Sequence, residues 1–163
     1  MRSASALVIA LTLTGLAFGQ RNDGPQTAST DCTFEDGRQI SIQYNPGKGE
    51  EPHNGKLWFP GGSPMIFFAG APLTLSSSSI APGAYMLYVV PGKKEWMLVV
   101  NKNVTVGTSY DPAQDTARGP MEIGEIDQQQ SGLHLAFAHM APKLCSLRLY
   151  YGKQGAFVDF KEQ

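Results

Sequence analysis

Asp111, Asp115 and Arg118 fall in one short stretch, Tyr110-Asp111-Pro112-Ala113-Gln114-Asp115-Thr116-Ala117-Arg118, with no strand or helix period. Two carboxylates beside a guanidinium can divide general acid and base work, or hold a Ca²⁺. The spacing fits no calcium loop, and an Asp115–Arg118 pair that stitches a long loop is the plainer expectation. A hydrolase working from Asp111, Asp115 and Arg118, with His53 joining from another loop in a cleft near Trp58, is the enzymatic alternative. It requires groups from separate loops to converge.

The remaining reactive side chains make weaker patterns. His134 and His139 are five apart on a strand-like run, which sends them to opposite faces, and His53 is remote, so no metal centre is expected. No cofactor is implied. Gly49 and Gly55-Lys56 suggest a phosphate-cradling loop, but the spacing is one residue too long and Leu57 stands where Ser or Thr belongs. Gly62-Ser63-Pro64 is not a nucleophile elbow.

The aromatics offer binding rather than catalysis. Trp58, Phe59, Tyr85, Tyr88, Trp96 and Tyr110 could form a shallow platform on which a sugar ring stacks; the competing reading is ordinary packing between sheets.

These side chains must be placed by strands. Ile80 to Lys102 is two apolar runs split by Pro91-Gly92-Lys93-Lys94-Glu95, a hairpin pattern. Tyr85, Leu87 and Val89 share one face of the first arm and Met86, Tyr88 and Val90 the other, so both faces need cover. Upstream, Cys32 to Phe34 and Gln39 to Tyr44 flank Asp36-Gly37, a turn in which both residues can take positive φ. Met65 to Ala69 and Leu73 to Ser76 read as short strands, Ser76 to Ser79 as a linker and Asn45 to Lys56 as a loop. Asn103 to Pro120 reads as a long connection, and Asp127 to Gly132 as a polar turn before strands over Leu133–His139, Cys145–Tyr151 and Ala156–Phe160. About eight or nine strands and no helical period favour a single all-β domain, an antiparallel two-sheet sandwich rather than a barrel.

The amino terminus has a different character. Arg2, an apolar run from Ala6 to Phe18 and Ala17-Phe18-Gly19 read as a signal peptide over residues 1–19, cleaved before Gln20. That run is 13 residues where a span needs ~20, so an uncleaved anchor is the lesser reading. Residues 20–31 are polar and aperiodic, a flexible lead-in to a domain over 32–163. Loss of Arg2 leaves 12 basic against 14 acidic groups, no footprint for nucleic acid or an anionic membrane. In an exported chain Cys32 and Cys145 read as one disulfide, with two buried thiols as the alternative.

Several of these segments together resemble one bacterial family. Cys32-Thr33-Phe34 with Asp36-Gly37, Ala81-Pro82-Gly83-Ala84-Tyr85, Val90-Pro91-Gly92 with Glu95-Trp96, Tyr110-Asp111 with Asp115 and Arg118, and Phe157-Val158-Asp159-Phe160 are similar to the family catalogued as domain of unknown function 2911. The resemblance implies an exported bacterial β-sandwich without an established activity. It also marks a departure: where the family carries Arg, Asn and Glu after its Trp, this chain has Phe59, Ser63 and Pro64 behind Trp58, as in a divergent member. The reading that follows is a periplasmic or secreted, non-catalytic binding or structural module of the cell envelope, partnered by glycan or protein.

Overall fold

A computed structural model describes residues 27–163 apart from Val106. The signal peptide of residues 1–19 and the start of the lead-in lie outside the described residues. Nine strands follow in order: β1 (Ala28–Thr33), β2 (Gln39–Tyr44), β3 (Met65–Ala69), β4 (Leu73–Leu75), β5 (Ser78–Ile80), β6 (Gly83–Val90), β7 (Glu95–Asn101), β8 (Asp115–Ala141) and β9 (Leu144–Glu162). All pairings are antiparallel, and one continuous sheet runs in the order β1-β2-β3-β6-β7-β8-β9-β4-β5. The chain is a single all-β domain, and among the described residues no helix is long and apolar enough to cross a membrane.

Alternation along each strand aims Ile40, Ile42, Phe67, Leu87, Leu98, Leu147, Leu149 and Phe160 into one contiguous core. One sheet can enclose a core only by bending back on itself, and β8 supplies the bend. Its first part pairs with β7 and the remainder, from Glu122 to Ala141, with β9. The turn expected at Asp127–Gly132 is therefore a correction: these residues lie inside β8, where the register against β9 slips on either side of Gln130. A polar run normally ends a strand, but bulges absorb the extra residues and keep the ladder going.

Three further boundaries differ from the sequence reading. Ala28–Asp31 of the lead-in are already strand, paired to Ser41–Tyr44, because β2 offers an open edge. The serine run is no linker: Ser76 and Ser77 form the tight turn between β4 and β5, with Ser76 at φ 55°, a conformation that usually selects Gly. The connection after Asn103 ends at Asp115, where β8 begins, instead of at Pro120. At the first hairpin only Gly37 takes a left-handed φ; Gly37 N–H donates to Phe34 O, so the turn is centred on Glu35 and Asp36.

The central hairpin is covered on both faces as its composition requires. Tyr85, Leu87 and Val89 join the main core, while Met86, Tyr88 and Val99 form a second cluster under Leu57, Phe59, Met97 and Tyr110. Loops on either side of the hairpin in sequence thus supply the outer layer.

Where the sheet returns, β1 meets β8 without a ladder. The β1–β2 pair is held to the β8–β9 hairpin by the Cys32–Cys145 disulfide, which joins β1 to β9 with Cα atoms 6.3 Å apart, and by hydrogen bonds: Phe137 N–H of β8 donates to Thr30 Oγ1 of β1 at 3.1 Å, Leu135 N–H of β8 to Tyr44 Oη of β2 at 3.3 Å, and Glu35 N–H to Pro142 O at 3.1 Å. Both cysteines are buried in the core. The bond closes a sequence separation of 113 residues, worth nominally ~4–5 kcal/mol in the unfolded ensemble. Replacing both cysteines with Ala is expected to lower unfolding free energy by about 2–5 kcal/mol, read as a shift in the urea midpoint under non-reducing conditions.

Candidate functional site

Asn101 ends β7 and is buried at 1 % exposure, unlike most asparagines. A register shift between Val100 and Asn101 sets Asn101 opposite Asp115, leaving Thr116 as the extra residue on β8. Bulges of this kind re-aim side chains. Asn101 Nδ2 donates to Asp115 Oδ1 at 2.8 Å and to the Asp111 carbonyl at 2.9 Å, while its Oδ1 accepts from Asn103 N–H at 3.0 Å.

The other oxygen of Asp115 is equally engaged. Oδ2 accepts from Tyr110 Oη at 2.7 Å and from Arg118 Nε and Nη2 at 3.0 and 2.7 Å, and Arg118 Nη2 also reaches Tyr110 Oη at 2.8 Å. The loop-stitching ion pair is thus present, within a four-residue network. Asp111 is turned elsewhere: its Oδ1 accepts from Ala113 N–H and caps the short 3₁₀ turn at Pro112–Gln114.

His53 does not approach this network. Gly55 N–H donates to Pro91 O at 2.8 Å, which ties the His53 loop to the β6–β7 turn. Asn101 and Asp115 stand at the far end of β7, about 20 Å away at a rise of ~3.4 Å per residue. Among the described residues no three His, Cys, Asp or Glu side chains gather as a metal site.

The aromatic candidates divide in two. Trp58 and Trp96 meet edge to face at 5.2 Å inside the main core, and Trp58 also meets Tyr151 at 4.9 Å. Trp58 Nε1 donates to Glu50 O, and Tyr85 Oη to Ala81 O, so each buried polar tip has a partner. Trp58, Tyr85 and Trp96 all lie buried in the main core. Phe59 and Tyr110 instead flank Tyr88 on the outer layer, at 5.6 and 5.0 Å between ring centres. With Pro64, Met86 and Thr108 they wall a cavity of about 280 Å³. Phe59 and Pro64, two of the three positions where the resemblance expects polar groups, face this cavity.

Sequence reasoning placed Tyr88 among the candidate aromatics but gave Asn101 no role in this region, since a polar residue at a strand end reads as the start of a loop.

The arrangement defines a disulfide-closed all-β domain with one small aromatic cavity beside a saturated polar network. The chain belongs to the family described as a protein of unknown function (DUF2911), whose profile matches residues 32–160. No curated protein and no solved structure matches it significantly.

Two outcomes follow. Asn101→Ala strips Asp115 Oδ1 and the Asp111 carbonyl of a donor, and is expected to cost about 1–3 kcal/mol in chemical denaturation. Burial raises the phenol pKa of Tyr85, Tyr88, Tyr110 and Tyr151 above 10.0, with the Asp115 carboxylate adding to the rise at Tyr110 and Tyr88. The unfolded chain releases these protons first, so their stabilisation is complete below a pH of about 10 and declines as pH climbs beyond it. Phenolate absorbance of the folded protein should accordingly rise at higher pH than that of the urea-unfolded chain.

Proposed function

We propose that this protein is a non-catalytic binding module exported to the bacterial cell envelope, taking a glycan through one sugar ring in the Phe59–Tyr88–Tyr110 cavity. The observation that carries the reading is that cavity, lying beside a carboxylate with both oxygens already occupied. An acid or base needs a proton site free to exchange with substrate; Asp115 is committed to Asn101, Tyr110 and Arg118, so the network acts as a frame. Aromatic faces flanked by hydroxyls such as Thr108 suit a ring that is apolar on its C–H face and polar at its edge.

Export is supported by the buried disulfide, which favours an oxidising compartment, and by the leader-like residues 1–19. The mature form is expected to start at Gln20, with residues 20–27 leading into β1.

The test uses protein recovered from the periplasm or medium, its first residue assigned by intact mass. Titration with fragments of envelope glycan should quench tyrosine fluorescence saturably without cleaving the fragments. Phe59→Ala should weaken binding about tenfold, the equivalent of ~1.4 kcal/mol. Saturable binding to no envelope glycan, or turnover of one, would reject the reading.

A further inference from the structure

We propose that the outer face of the bent β8–β9 hairpin is a second binding groove, for an uncharged glycan chain. The inference shares with the reading above only the class of ligand; the surface is a different one.

The groove is a product of the bend. Between the pairs Glu125↔Gln154 and His134↔Tyr150, β8 advances nine positions while β9 advances four. The strand with more residues must take the outside of the curve, and β9 turns the inside corner at Gly152, whose φ of 58° is open to Gly at little cost. Arg148 and Tyr150 on one side of that corner and Phe157 and Asp159 on the other line one surface with Glu122. They enclose a concavity of about 710 Å³, within the usual range of ~300–1,000 Å³ for ligand clefts.

Two features of its lining specify the occupant. Tyr150 and Phe157 meet at 6.1 Å with planes 72° apart, and His134 stacks behind Tyr150 at 5.9 Å. A Cβ built on Gly155 would come within 3.0 Å of the Phe157 ring and 3.2 Å of Ile126, so the missing side chain is what lets those groups sit where they do. Gly155 thus leaves room for the two rings to meet over the groove.

Arg148, Glu122 and Asp159 face the same groove, and no ion pair joins them among the described residues. The Arg148 guanidinium makes one weak contact, from Nη2 to Met140 Sδ at 3.6 Å. An apolar peptide would bury these three charged groups without partners, which is costly. A polymer of uronic acids or phosphates would meet two carboxylates against a single cation. Neighbouring hydroxyls on a neutral sugar satisfy all three: they accept from the Arg148 fork and donate to Glu122 and Asp159. Ring faces then stack on Tyr150 and Phe157.

The experiment is affinity electrophoresis of the mature protein in gels containing a neutral hexose polymer or a uronic acid polymer of matched length. The neutral polymer should retard migration, with little change on added salt. Arg148→Gln and Phe157→Ala should each weaken retardation about tenfold. Circular dichroism melts identify any variant that has failed to fold; Asp159→Asn, on an exposed side chain, is the fallback and should weaken binding in the same direction. Preference for the uronic acid polymer, with salt-sensitive retardation that Glu122→Gln strengthens, would overturn the proposal. Retardation by neutral polymer that the groove variants leave intact and Phe59→Ala removes would also overturn it, while sparing the reading of the cavity. No retardation by either polymer overturns the groove, and it leaves the cavity to its own titration.

Discussion

The Cys32–Cys145 bond is the constraint on which the rest of the domain depends. A single bent sheet has two free edges, and here β1 is brought back against β8 without the backbone ladder that would close a barrel. Hydrogen bonds from Phe137, Leu135 and Glu35 N–H and a disulfide from β1 to β9 hold the seam. The core inside is contiguous, so opening the seam would expose Ile40, Phe67 and Leu147 together instead of loosening one corner. Close by, the chain end is held down independently: Gln163 Nε2 donates to Leu73 O, Thr74 Oγ1 and Ser79 Oγ, and buried Glu162 sits 3.0 Å from Arg38 Nη2.

Within that frame the loops are structural layers more than connections. Trp58 N–H and O bond to Val89, Gly49 N–H bonds to Pro60 O, and Tyr151 Oη donates to Gly49 O, so the long segment between β2 and β3 is pinned at several points. It delivers Trp58 to the core and Phe59, its neighbour, to the outer cluster. The opposite placement of adjacent residues separates packing from the candidate binding surface.

Much of this was legible in the residues. Val, Tyr and Met on both faces of β6 demanded a covered hairpin, and a lone cysteine pair in a chain read as exported pointed to a bridge. What escaped notice depended on contacts between distant segments. Trp58 lies in a stretch with no period, so nothing local told core from platform. The length of β8 was hidden by Asp127–Gly132, whose polarity imitates a turn when pairing with β9 cannot be seen. Ser146, Arg148 and Tyr150 alternate like any solvated face, and the concavity they line needs Glu122, Phe157 and Asp159 from other segments.

The placement of the two sulfur atoms also governs how the molecule is made. Cys32 emerges early and Cys145 near the end, so the covalent closure waits until almost the whole polypeptide has crossed the membrane, if export proceeds as proposed. With only one possible intramolecular partner for each thiol, oxidation has a single internal product and needs no proofreading of scrambled isomers. Disulfide formation then reduces to one late two-electron oxidation, which any general thiol oxidant can supply.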